Sequence, residues 1–344
     1  MTIRVGILGA GNISQTHARA AAAIPGVEVV AVHGGNLDRA RALASTYGAE
    51  ACADLDRFLA TPMDLVAIGS PSGLHADQGV RAAERGIHVL VEKPIDVTPA
   101  AADRLIAAAA RAGVKLGVFF QDRAQPDIVR LREAVTGGRL GRLLLASARV
   151  KWYRPPEYYG QSRWRGTWAL DGCGALMNQG IHTLDLLAWL LGPVRRVSAV
   201  TRTALHRIEV EDTALALLEF SSGAVATYEA TTAAYPGYKR RLELTGSEGT
   251  VVLEHDRLIA ADLRQPADDL LRVRADDANE SASSPVVSDA RGHQRILEDF
   301  IAAIRDDREP LCPGREGRRS VALAAAIYDA ARTGRPVDDV EPAG

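Results

Sequence analysis

Three cysteines in 344 residues, Cys52, Cys173 and Cys312, are too few, too widely spaced and odd in number for a disulfide framework or a metal knuckle. They read as reduced thiols of a cytoplasmic chain, and no metal site is expected. Charge of one sign is missing as well. With 41 lysines and arginines against 43 aspartates and glutamates, the formal charge is −2, and no overall field draws the chain to nucleic acid or to an anionic membrane. Long apolar runs are absent: residues 100–110 and 175–191 come nearest, but Asp103, Arg104, His182 and Asp185 interrupt them, which excludes a spanning helix of about 18 to 20 apolar residues. Residues 1–11 carry one basic group and lead straight into a glycine turn, so no export signal is expected. What remains, 47% hydrophobic and 24% charged residues, is an ordinary globular composition. At about 150 residues per domain it has room for two.

From residue 3 to about residue 120, short apolar runs alternate with helical patterns. The strand candidates are 3–8, 27–32, 65–68, 88–91 and 115–119; the helix candidates are 15–23, 37–47, 74–85 and 99–112. Such alternation implies parallel strands with right-handed crossovers, a doubly wound α/β sheet. After residue 121 the rhythm changes to a helix at 126–136, a strand at 143–152, an aromatic loop, and a long helix at 175–191. Strands at 194–203, 213–220, 224–232, 240–244 and 250–253 follow. Short turns between successive strands predict a mostly antiparallel sheet. Residues 267–291 read as a polar surface loop, followed by helices at 293–305 and 315–333. The division expected is 1–121 for a nucleotide-binding domain and 122–344 for an α+β domain.

The first strand runs into Gly9-Ala10-Gly11-Asn12-Ile13-Ser14, a glycine turn opening a helix. Gly9 allows the turn, Gly11 allows close approach of a pyrophosphate, and Asn12 and Ile13 present amides at the helix start. Ser14 stands where a third glycine is usual. A site for NAD ordinarily has a carboxylate at the end of the second strand. Here His33-Gly34-Gly35-Asn36 offers none, and Arg39 follows at a helix start. A 2′-phosphate therefore has room at small Gly34 and Gly35, beside Asn36, and a cation at Arg39, which favours NADP. NAD stays open, with Asp38 or a water on its ribose.

Glu92-Lys93-Pro94 closes the fifth strand, where ligands of such sheets bind. Neighbouring strand residues face opposite sides, so Lys93 is separated from Glu92 and becomes a candidate donor to a carbonyl or hydroxyl oxygen. In the helix 175–191, spacings of four and three residues place Asn178, His182 and Asp185 on one face, a polar stripe facing a cavity. His182 can take a hydroxyl proton, whereas Asn178 can only orient. Aromatics are 5% of the chain, yet Tyr153, Tyr158, Tyr159, Trp164 and Trp168 crowd around Arg165. They suit sugar rings or a nicotinamide, and equally serve as loop anchors or a subunit contact. Arg123, Tyr153 and Tyr235 complete the candidate substrate contacts.

These residues resemble the glucose-fructose oxidoreductase, inositol dehydrogenase and MocA group of NAD(P)-dependent oxidoreductases. The likeness runs through Gly9 to Ser14, Ser70-Pro71-Ser72-Gly73-Leu74-His75, Glu92-Lys93-Pro94, Trp164-Arg165-Gly166-Thr167-Trp168 and Asn178-Gln179-Gly180-Ile181-His182. The resemblance implies an N-terminal Rossmann domain and a C-terminal α+β domain with a large open sheet. It implies cofactor contacts at Ser70, Pro71, His75, Glu92, Trp164 and Arg165, and it places Lys93 and His182 beside the reacting carbon. A cis Lys93-Pro94 bond is expected. Relatives often carry aspartate where Asn178 stands, which leaves Lys93 and His182 as the titratable pair. The expected activity is hydride transfer between nicotinamide and a sugar, glycoside or cyclitol carbon by a homodimer or homotetramer. Two other outcomes stay open: glycoside hydrolysis by transient oxidation and elimination, and an inactive cofactor-binding scaffold.

Overall fold

The computed structural model describes residues 2–160, 165–168, 174–271 and 290–340. In chain order its elements are β1 (Ile3–Leu8), α1 (Asn12–Ala22), β2 (Val27–His33), α2 (Leu37–Tyr47), β3 (Glu50–Cys52), α3 (Leu55–Ala60), β4 (Leu65–Ile68), α4 (His75–Ala83), β5 (His88–Val91), α5 (Pro99–Ala112) and β6 (Leu116–Val118). There follow α6 (Pro126–Thr136), β7 (Leu143–Lys151), α7 (Pro156–Gly160), a π-type turn (Ala175–Gln179), α8 (Ile181–Leu191), β8 (Val194–Arg202), β9 (Thr213–Phe220), β10 (Val225–Thr231), β11 (Arg241–Gly246), β12 (Gly249–Glu254) and β13 (Arg257–Leu263). The last elements are α9 (Arg291–Arg305), α10 (Gly314–Thr333) and β14 (Val337–Asp338). Among the described residues no helix is long and apolar enough to cross a membrane.

The chain divides into two compact units, Met1–Gln121 with Pro285–Arg318, and Asp122–Ser284 with Arg319–Gly344. Sequence rhythm puts everything after 121 into one domain. The structure instead groups α9 with the first unit, because its apolar face packs there. Gly117 is a glycine since a Cβ would meet the Phe300 ring at 2.8 Å, and the Val118 amide donates to the Cys312 carbonyl at 2.8 Å.

The first unit holds a six-stranded parallel sheet in the order β3-β2-β1-β4-β5-β6. Its central strands β1, β4 and β5 are almost wholly buried, so they read as continuous apolar runs. Helix ends follow local chemistry: Thr98 Oγ1 accepts from the Ala101 amide with Pro99 in the first turn of α5, and Gly113 ends it at φ 67°.

The second unit holds eight strands in the order β13-β12-β11-β7-β10-β9-β8-β14, antiparallel except for the parallel pair β7 and β10. Period-two burial along β9 and β10 turns Ala214, Ala216, Leu218, Ala226 and Tyr228 inward. The other face carries exposed Leu145, Val200, Leu215, Leu217 and Val225. Cross-strand pairing puts Val200 beside Leu215 and Val225 beside Leu145.

Two expected elements differ. Helix α1 begins at Asn12, a turn earlier than expected, because the uncapped Gly11 rather than a hydroxyl residue precedes it. The long helix expected at 175–191 is interrupted at Gly180, which separates the π-type turn from α8.

Candidate active site

In the first unit, Gly9 has φ 120°, and a Cβ there would lie 2.5 Å from Ser14 Oγ and 2.7 Å from the Gly69 carbonyl oxygen. Only glycine fits. Gly11 supplies no side-chain cap to α1, no acidic residue stands in the first turn, and nothing lies within 4 Å of where a Gly11 Cβ would be. The helix start, with Asn12 exposed and Ile13 half-buried, therefore offers amides and a partial positive charge over open space, a fit for pyrophosphate. The missing third glycine has a counterpart. A Cβ at Gly69 would come to 3.1 Å from both Ser14 Oγ and His17 Cε1. Close approach of α1 to β4 is thus secured by glycine on the strand side, a residue that sequence reading passed over.

At the end of β2, a Gly34 Cβ would meet Ala10 Cβ at 2.8 Å, so Gly34 lies against the glycine loop, while Gly35 borders open space. Asn36 Oδ1 accepts from the amides of Asp38 and Arg39, both at 3.1 Å, and so caps α2. The Asp38 carboxylate lies 3.5 Å from Arg41, and Arg39 is exposed.

The ends of β4 and β5 are tied together. The His75 ring lies between two carbonyl oxygens, Pro94 at 2.8 Å from Nδ1 and Ser70 at 2.9 Å from Nε2. Ser70 Oγ donates to Gln78, and Pro71, half-buried, opens the short turn leading to α4. Asp96 caps α4 by accepting from the Ala76 amide at 2.9 Å. The Lys93-Pro94 bond is cis, as expected. His75 thus holds backbone in place rather than presenting its ring to a ligand. Glu92 also differs from expectation: it is buried, with Oε1 at 2.9 Å from His17 Nε2 and 3.2 Å from His293 Nε2. Burial alone would raise the Glu92 carboxyl, but hydrogen bonds from His17 and His293 outweigh it and hold it well below the usual carboxylate range. Lys93, one residue on, is half-buried.

In the second unit, the site elements meet where the parallel strands β7 and β10 end. Antiparallel pairing brings the starts of β9 and β11 to the same edge. Glu211, just before β9, accepts from the amides of Gly174 at 3.1 Å and Leu176 at 2.8 Å and so anchors the π-type turn carrying Asn178. Burial pushes the Glu211 carboxyl up to about 7 against these hydrogen bonds. Gly180 is required because a Cβ would lie 2.0 Å from Tyr228 Oη. Sequence reading missed Glu211; the acidic pair Glu211-Asp212 between two strands was the available signal.

The break at Gly180 separates Asn178, on the π-type turn, from His182 and Asp185, which stay three residues apart on α8. Asn178 and His182 are half-buried, but Asp185 is fully buried. Its carboxylate takes Arg123 Nε at 2.7 Å and Nη2 at 2.6 Å, plus Ser320 Oγ at 2.9 Å. Arg123 is 1% exposed and stacks over the Trp189 ring at 4.9 Å. Both are expected substrate contacts; instead they form a buried bidentate ion pair. His182 has a different acidic neighbour, Asp122, with 3.8 Å between Nδ1 and Oδ2. Asp122 is bound by Arg240, which also binds Asp256. Burial would raise the Asp122 carboxyl, yet Arg240 foremost, with His182, brings it down to about 2, which favours its charged form.

Beyond β7, Tyr153 meets Tyr235 edge to face at 5.2 Å, and Tyr235 is 77% exposed. Arg154 lies over Trp152 and Tyr158, both at 5.3 Å, and burial pushes its guanidinium down. Arg165 lies over Tyr158 at 4.3 Å and donates to its carbonyl at 3.2 Å. The candidate Trp164 lies outside the described residues.

A glycine turn opening an uncapped helix, at the carboxyl edge of a parallel sheet ordered 3-2-1-4-5-6, defines a dinucleotide-binding protein. Residues 3–120 match the oxidoreductase family with an NAD-binding Rossmann fold, and residues 128–252 match the GFO/IDH/MocA C-terminal domain. The chain belongs to the Gfo/Idh/MocA family of NAD-binding oxidoreductases. It is similar to the WlbA dehydrogenase from Bordetella pertussis, solved in complex with NADH and UDP-GlcNAcA, at 34% identity and a TM-score of 0.89 over 100% of both chains. Inositol 2-dehydrogenase from Rhizobium meliloti (strain 1021) is 29% identical over 95% of this chain and 96% of its own. D-glucoside 3-dehydrogenase from Escherichia coli (strain K12) is 28% identical over 98% and 97%.

Proposed function

We propose that the chain oxidises a secondary hydroxyl of a sugar, glycoside or cyclitol, or reduces the corresponding carbonyl. The observation that carries this reading is His182: half-buried on a helix where every other residue but Trp189 is buried, and 3.8 Å from the Arg240-bound carboxylate of Asp122. An imidazole backed by a carboxylate takes a hydroxyl proton and holds the positive charge that results. Lys93 is the proposed donor that steadies the oxygen of the reacting carbon as the carbonyl forms. Asn178 orients a neighbouring hydroxyl, and Tyr153 and Tyr235 supply a face for the ring. The bound nicotinamide supplies hydride acceptance at its C4. The named substrates of the relatives support a hydroxylated ring, and UDP-GlcNAcA, present in the WlbA complex, extends the class to nucleotide-linked sugar acids. The test is a panel of polyols, aldoses, glycosides and nucleotide sugars with oxidised cofactor, read at the reduced-nicotinamide absorbance band. Aglycone release without accumulating reduced cofactor assigns a hydrolase instead, and binding without turnover assigns a scaffold.

The cofactor proposed is NADP. Asp38 is drawn toward Arg41, Gly35 borders open space, and exposed Arg39 follows the Asn36 cap, so a 2′-phosphate meets a cation and no opposing carboxylate at the strand end. Arg39→Asp is expected to weaken NADP binding at least about 10-fold while leaving NAD within about twofold. Equal losses for the two cofactors contradict the assignment.

The exposed apolar face of the eight-stranded sheet is proposed to pack on a second copy, giving a dimer or tetramer. Light scattering is expected to give a multiple of the 36.7 kDa chain mass, and Leu215→Glu with Leu217→Glu to reduce it to the monomer. A monomeric parent protein sinks this proposal.

A further inference from the structure

We infer that His17, Glu92 and His293 form a positioning triad that fixes the backbone of Lys93, making His293, far away in sequence on α9, a positioning residue for hydride transfer. This rests on the reading of Lys93 as catalytic. All three side chains are buried, with 1% exposure or less for each histidine. Both imidazoles turn Nε2 to a single oxygen, Glu92 Oε1, at 2.9 and 3.2 Å. The second oxygen, Oε2, accepts the Lys93 amide at 3.1 Å. Each Nδ1 is buried with no hydrogen-bond partner among the described residues, and the tautomer in which both rings donate to the Glu92 carboxylate has Nε2–H on each.

The triad joins three distant segments: His17 on the helix that follows the glycine loop, Glu92 at the end of β5, and His293 on α9. His17 also stacks on Phe119 at 4.3 Å and 13°, which fixes its ring plane. On the far side of the turn, His75 holds the Pro94 carbonyl at 2.8 Å. The Lys93-Pro94 turn is therefore gripped at its amide by Glu92 and at its carbonyl by His75. Removing one imidazole loosens the Glu92 carboxylate and, through it, the Lys93 amide. Displacement of a reacting group by about 1 Å costs roughly 100-fold in rate.

The test compares His293→Phe, which keeps the ring but deletes the donor, with His293→Gln, which returns an N–H at similar reach. Expected is a fall in kcat of roughly 10- to 100-fold for His293→Phe. The cofactor dissociation constant, read by protein fluorescence, stays within about twofold, and His293→Gln recovers most of the rate. Unchanged kcat in His293→Phe, with Lys93→Met inactive, overturns the triad alone. Loss of cofactor binding and thermal stability together with kcat, unrescued by His293→Gln, overturns it by giving His293 a merely structural role. Turnover surviving in Lys93→Met overturns both the triad and the catalytic reading beneath it. The same donor atoms lie within 4.8 Å of one another, a spacing open to a metal ion. A stoichiometric transition metal in the purified protein overturns the hydrogen-bonded arrangement.

Discussion

Lys93→Met is expected to lower kcat by about 100- to 10,000-fold, the usual contribution of a positioned proton donor or acceptor, with cofactor affinity unchanged. Methionine matches the length of the lysine stem and removes the ammonium. The oxygen of the reacting carbon then loses the donor proposed to steady it, while the glycine loop at Gly9 and Gly11 keeps its amides over open space. Half-buried Lys93 follows a cluster already satisfied by His17 and His293, so its replacement leaves Glu92 with both imidazole donors. Stopped-flow mixing with oxidised cofactor and the best panel substrate reads the hydride step directly. A rate within about threefold of the parent removes Lys93 from the mechanism.

The second large effect falls on stability. Asp185→Ala leaves Arg123, which is 1% exposed, without the carboxylate that receives two of its N–H groups at 2.6 and 2.7 Å. Breaking a buried pair from one side costs roughly 3–5 kcal/mol, because the remaining charge stays desolvated. Replacing both partners, as in Arg123→Met with Asp185→Leu, removes the charge as well as its partner and is expected to cost much less than the single change. Urea unfolding followed by fluorescence measures both. Were Asp185 a substrate contact, Asp185→Ala would raise KM at unchanged unfolding midpoint, the opposite pattern.

The parallel sheet was legible because strands buried on both faces, such as β1 and β4, leave uninterrupted apolar runs between amphipathic helices. Short, partly polar pieces such as β3 and α3 left no such trace, since their three and six residues hold too few repeats to reveal a period. The glycine loop and the Lys93-Pro94 turn were legible as local motifs. Helical spacing put Asp185 three residues from His182 on α8 but said nothing of the buried Arg123 that takes its carboxylate. Glu92 was misread for a related reason. The period of a strand tells which side a residue faces but not what waits there, and His293 lies 201 residues away. Asp122, the anion behind His182, sits in a short turn whose role depends on Arg240 at a separation of 118 residues. Partnerships of that range leave no mark in spacing.

Lys93 and His182 are each proposed to act in hydride transfer, and a single absorbance experiment tests both most directly. The parent protein, Lys93→Met and His182→Ala are each loaded with oxidised cofactor, mixed with the same substrate and followed at the reduced-nicotinamide band. Reduction by the parent and none by either variant, at equal cofactor loading, is the expected result. Parent-like reduction by either variant contradicts the account.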